Sequence, residues 1–128
     1  QVLQDLVEAL NDHDYDRAYA LYDPDARHAG QPGRAEGVAA MRAADAAFFS
    51  AFPDNHRVVE QALADEEAVA ACLRITGTNT GPLEGLPPTG RSLDLPICNV
   101  IGVRGGRITS MRQFWDGAEV ARQLGLVA

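Results

Sequence analysis

The chain has 128 residues, 46% of them hydrophobic and 23% charged, and a net charge of −7 at neutral pH. That is the size of a single domain, 1–128, with enough apolar residues to bury about two-thirds of its unfolded surface without metal or disulfide staples. The acidic balance speaks against a nucleic-acid partner, and no apolar run reaches the ~18 residues of a membrane span.

Val2, Leu3, Leu6, Val7 and Leu10 form a helical stripe, interrupted at Asn11-Asp12-His13-Asp14. Asp14 can cap a second helix with Ala18, Leu21 and Tyr22 on its inner side, stopped at Asp23-Pro24. Residues 26–29 are a short segment before the break Gly30-Gln31-Pro32-Gly33. A third, Ala-rich helix is predicted over about 36–52, with Val38, Met41, Phe48, Phe49 and Phe52 as its larger contacts and Pro53-Asp54-Asn55 as its end.

The rest reads as strands. Residues 57–64 and 68–78 flank the polar turn Asp65-Glu66-Glu67, and Val69, Ala71, Leu73 and Ile75 alternate on one face. Residues 80–90 are a loop broken by Gly81-Pro82 and Pro87-Pro88-Thr89-Gly90. Strands return at 91–104, with Leu93, Leu95, Ile97, Ile101 and Val103 on one face, and at 107–115 after the turn Gly105-Gly106. Asp116-Gly117-Ala118-Glu119 opens a short helix ending near Leu124-Gly125. Three helices and a four-stranded meander predict an α+β fold: a curved antiparallel sheet with the helices on one side and a cone-shaped interior. Val58, Val100 and Trp115 are expected on the opposite face, which predicts a homodimer.

Several chemistries are excluded by composition. All eleven basic residues are Arg, so there is no Schiff-base or P-loop lysine. His13, His28 and His56 are scattered, no Cys-x-x-Cys occurs, and neither a dinucleotide fingerprint nor a serine-hydrolase elbow is present. No metal and no cofactor is expected. Cys72 and Cys98 lie in apolar stretches and read as small core residues of a reducing cytoplasm; no basic-then-apolar signal segment opens the chain.

What remains is carboxylates, amides, imidazoles and pocket shape. Alternation along the last strand puts Ser110, Arg112, Phe114 and Asp116 on one face, and Met111, Gln113 and Trp115 on the other, the expected dimer face. Asp116 is either the cap of the terminal helix or a carboxylate at the rim of an apolar cavity, raised in pKa by desolvation. Arg112 lies about 13 Å along the strand from it and could bind a substrate oxygen or make a structural ion pair. Asn79 and Asn99 share parity with inward apolar residues, so each amide needs a partner: backbone, water or a substrate oxygen. Tyr15 and Phe49 are core at helical spacing, or part of a flat apolar wall for a ring-shaped ligand.

Five motifs then carry a resemblance. AFPD at 51–54, TGTNTG at 76–81, PPTGR at 87–91, GGRI at 105–108 and WDG…RQLG ending at Gly125 resemble the SnoaL-like polyketide (ester) cyclases of the nuclear-transport-factor-two-like superfamily. The resemblance runs from Asp12 onward and implies a cone-shaped α+β barrel. It also implies cofactor-free aldol ring closure of a polyketide in antibiotic biosynthesis, with a carboxylate at the end of the last strand as general acid and base. The matching position is Asp116, and Asn79, Asn99 or His28 would steady the oxyanion, His28 because related cyclases place a histidine at the cavity there. The family commonly reads GTHTG where this chain has Asn79, and often carries a histidine where it has Arg112-Gln113-Phe114; each departure removes an imidazole. The superfamily also hosts isomerases, epoxide hydrolases, hydroxylases and non-catalytic binders, so epoxide opening or hydroxylation with Asp116 activating water, and a plain binding module, stay open.

Overall fold

Leu3, Leu6 and Ala9 recur at helical spacing, and α1 (Val2–Asn11) buries all three. Each buried leucine contributes about 1.5–3 kcal/mol. In the computed structural model, which describes residues 1–29, 38–83 and 85–126, a short helix follows. This is α2 (Tyr15–Tyr19), whose N-cap Asp14 accepts the Arg17 N–H at 3.2 Å.

The second helix stops sooner than the sequence predicts. Tyr22 does not face inward from a helix; it opens a strand, β1 (Tyr22–Ala29). Pro24 explains the change, because proline disfavours helical backbone in the residue before it and is tolerated in an edge strand. The break at 30–33 and the helix start near 36 lie outside the described residues; α3 is described over Val38–Ala51.

The remaining strands match their expected spans closely: β2 (His56–Ala64), β3 (Ala68–Thr78), β4 (Ser92–Arg104) and β5 (Arg107–Phe114). The sheet has five strands rather than four, in the order β1-β5-β4-β3-β2. It is curved and unclosed. Among the described residues only the β1–β5 pairing is parallel. The N-terminal helices and α4 (Gly117–Gln123) complete the α+β architecture, and Gln123 brackets both backbone polar groups of Asp94 on β4. Among the described residues no helix is long and apolar enough to cross a membrane.

Side-chain direction on β5 differs from simple alternation. Gly105 (φ 59°) and Gly106 (φ 76°) form the tight turn that requires left-handed backbone at both positions. Val103 then pairs with Ile108 while Gly102 pairs with Ser110, leaving Thr109 as an extra residue. This bulge reverses parity along the strand. Ile108 and Met111 are both buried although three residues apart. Met111, Gln113 and Trp115 therefore line the concave side, and the expected dimer-face placement of Gln113 and Trp115 is corrected. Arg112 and Phe114 are exposed.

Leu93, Leu95, Ile97 and Ile101 of β4 face inward as expected and join two apolar clusters. One gathers under α1 and α2 with Leu73, Ile101 and Met111; the other holds Phe52, Ile75, Leu93 and Leu124. The cysteines are not core residues. Cys72 and Cys98 pair directly across β3 and β4, Cys72 exposed and Cys98 half-buried, because their neighbours Leu73 and Ile97 take the inward positions.

Candidate active site

Between the helices and the concave face lies a cavity of about 360 Å³, within the usual range for small-molecule sites. Its walls are mainly apolar: Leu6, Met41, Phe48, Phe49, Leu73 and Ile97 among them, with Trp115 and Val120 from the C-terminal end. Polar groups gather in two places, one on the helix side and one on the sheet.

The helix-side group centres on Asp45. Met41, Asp45 and Phe48 recur at positions i, i+4 and i+7 of α3, with Phe52 just past its end, so Asp45 occupies the inward stripe of its helix. The Tyr19 hydroxyl donates to Asp45 Oδ2 at 2.7 Å. Burial, and then the nearby Asp45 carboxylate, pushes the Tyr19 phenol well above its ordinary value. Tyr19 therefore stays protonated and orients the carboxylate. Buried Tyr22 is raised for the same two reasons.

Arg57 completes this group from β2. The Asn11 amide grips its backbone on both sides, at 2.7 Å and 2.8 Å, and its Nη1 donates to Asn55 Oδ1 at 2.8 Å. Burial lowers its guanidinium from the ordinary value, against the opposing pull of Tyr15 and Asp45. A carboxylate, two phenols and a guanidinium thus meet in an apolar wall, a setting that strengthens electrostatic effects on bound carbonyl groups.

The sheet-side group is a pair of amides. Asn99 and Gln113 lie directly opposite each other on β4 and β5, and both line the cavity. Asn99 is buried, and its Oδ1 has no hydrogen-bond partner among the described residues. Asn79 differs. Its Nδ2 donates to the Ala51 and Gly81 carbonyls, and its Oδ1 accepts the Thr89 N–H and hydroxyl, both at 2.9 Å. That amide ties the end of α3 to the 80–90 loop and does not line the cavity. Gly81 allows the close approach: a Cβ there would stand 2.1 Å from the Ser50 carbonyl oxygen.

Comparison with known proteins follows the same lines. The family model of the SnoaL-like polyketide cyclases matches residues 1–124. The chain belongs to the SnoaL-like polyketide cyclase family. IdmH from Streptomyces antibioticus, a proposed polyketide cyclase, is 27% identical with a TM-score of 0.83, covering 97% of this chain and 96% of its own. A proposed SnoaL-like cyclase from a Jannaschia species is also 27% identical, with a TM-score of 0.82, 96% of this chain and 91% of its own covered. AclR from Streptomyces galilaeus, a proposed hydroxylase, shares the fold at a TM-score of 0.88 and 23% identity, covering 99% and 95%. No curated protein matches the chain at a significant level.

Set within this SnoaL-like fold, the residues expected from sequence divide. Asp116 does not line the cavity. It is exposed at the N-cap of α4, where its Oδ1 accepts the Ala118 and Glu119 N–H groups at 2.9 Å and 3.3 Å. The partly dried carboxylate expected there is corrected to a solvent-facing cap: beyond Thr109 the even-numbered positions of β5 turn outward, and Asp116 follows the strand's end as the cap of α4. Arg112 lies on that outer side with its guanidinium 5.4 Å from the Phe114 ring centroid, so neither borders the cavity. Asn79, expected at the oxyanion, is saturated by backbone and Thr89. His28 sits opposite Met111 on β1, and its side chain lies outside the described residues.

Phe49 lines the cavity, and Tyr15 stacks behind it with ring centroids 4.2 Å apart at 4°. Asp45 and Arg57 escaped the sequence reading, yet each left a signal. Asp45 interrupts the apolar stripe of an otherwise Ala-rich helix, and Arg57 shares the inward parity of Val59. Among the described residues no three His, Cys, Asp or Glu side chains are grouped to hold a metal.

Proposed function

We propose that this SnoaL-like protein closes a ring in a hydrophobic carbonyl compound, a polyketide intermediate, by acid–base chemistry without a cofactor. The observation that carries the reading is the Asp45 carboxylate, held by the Tyr19 hydroxyl in the wall of an apolar cavity. Asp45 takes a proton from a carbon beside a carbonyl, and Arg57 lies in the same wall to offset the enolate charge. The carbanion attacks a second carbonyl carbon within the same molecule, forming a carbon–carbon bond. The resulting alkoxide recovers the proton from the Asp45 carboxyl, so product and substrate have equal mass. Phe48, Phe49 and the aliphatic lining hold the carbon skeleton.

The exposed apolar side chains Val58, Leu63 and Phe114 lie outside this cavity; we assign them to contact with a second copy, and sedimentation of the purified protein tests that pairing. Incubation with a linear β-keto ester that carries a second, remote ketone tests the reaction by mass spectrometry and carbon NMR. Cyclisation without mass change supports the reading, and recovery of unchanged substrate overturns it. Hydration of an epoxide in a parallel incubation assigns the same carboxylate to water activation instead.

A further inference from the structure

We infer that Asn99 accepts a hydrogen bond from a hydroxyl group of the substrate, so that the cavity selects a phenol or enol over its ether. This deepens the proposed function and rests on its reading of the cavity as a site for hydrophobic carbonyl compounds. Three asparagines are buried, Asn55, Asn79 and Asn99. The first two are engaged at both ends: Asn55 donates to the Phe52 carbonyl and the Tyr15 hydroxyl and accepts from Arg57, and Asn79 makes the bonds described above. Asn99 alone keeps a buried acceptor, Oδ1, with no partner among the described residues, although it is only 8% exposed.

An orphaned acceptor opposes folding, because it loses water without replacing it. Its residue neighbours on the sheet are Ala71 across β3 and Gln113 across β5. Neither donates to Oδ1, and the cavity that Asn99 lines is where a ligand can supply a donor. The amide can turn about its Cβ–Cγ bond at small cost, since that torsion is broad and roughly two-fold, which presents Oδ1 to a ligand. An amide oxygen accepts but never donates. It therefore rewards an O–H, whereas an ether or a bare carbonyl can meet only Nδ2 and leaves Oδ1 unpaired. Asp45 and Arg57 stand on the helix side and Asn99 on the sheet side, so the favoured molecule is two-ended: an acidic ketone toward α3 and a hydroxyl toward β4.

Titration calorimetry with 6-acetyl-2-naphthol and its O-methyl ether tests this directly. The wild-type protein is expected to bind the naphthol about tenfold more tightly, the effect of one hydrogen bond to an otherwise unpaired buried group. In Asn99→Leu the ratio falls to about one, and the ligand-free protein melts a few degrees higher because the orphaned amide is gone. Asn99→Ala serves the same comparison should leucine fail to fold. A wild-type ratio near one, a tenfold ratio that survives both substitutions, or a lower melting temperature in Asn99→Leu each overturns the assignment. Binding of neither probe to wild type overturns the broader reading of the cavity, and this inference with it.

Discussion

The α3 helix and the start of α4 each hold an aspartate near the cavity, and the two sites obey opposite local rules. Asp116 occupies an N-cap, the position aspartate favours most, and its hydrogen bonds to Ala118 and Glu119 explain its presence without any ligand. Asp45 sits inside a helix, on the apolar side, where aspartate has poor propensity and loses hydration. Local stability accounts for the first and not for the second. A residue that its helix position does not favour, set in a cavity beside Tyr19 and Arg57, is the stronger candidate for chemistry.

The sharpest way to break this contrast is to exchange the two carboxylates for neutral groups. Asp45→Asn is expected to lower ring-closing turnover about a hundredfold or more, the usual worth of a general base, measured by product formation under single-turnover conditions. Asn79→Ala tests the neighbouring structural amide. It strands the partners of four hydrogen bonds, so stability falls by about 2 kcal/mol, seen as a melting point lower by about 8 °C. Asp116→Ala costs about 1 kcal/mol through the lost cap and leaves turnover unchanged; a hundredfold loss there would reverse the assignment.

The smallest effects are in pH. The Thr78 N–H holds the Asp54 carboxyl below its usual range, and the Glu67 and Ala68 N–H groups do the same for Asp65. Carboxylates depressed in the folded state stabilise above the unfolded pKa of about 4, and that contribution is lost as pH falls through the folded value. Tyr19 and Tyr22 are raised, so their contribution is complete below the unfolded value of about 10 and is lost as pH climbs beyond it. Melting temperature is thus expected to be flat between these limits. Near-ultraviolet absorbance should show Tyr19 and Tyr22 ionising only as the protein unfolds.

Much of the fold was legible because strands such as β3 and β4 alternate cleanly over many residues. β1 was not, since Tyr22–Ala29 contains Asp23, Pro24 and Asp25, and its parallel partner β5 lies far along the chain. The site was less legible for a related reason. Parity arguments put Asn99 correctly on the inward face, but carried Arg112 and Phe114 there too by ignoring Thr109. Asp45 was readable from the 41, 45, 48 and 52 stripe, yet a lone acid among alanines looks like a solvated position until the helix is docked.

Thr109 has one further consequence. Deleting it would remove the bulge and keep the present facing. Were Thr109 instead to join the ladder as an ordinary residue, alternation would run unbroken from Ile108 onward and the outer half of β5 would rotate by a half-turn. A guanidinium and a phenyl ring would replace the carboxamide of Gln113 and the indole of Trp115 as furniture of the pocket. Lineages of this fold can therefore exchange a whole row of ligand contacts by forming or smoothing one bulge.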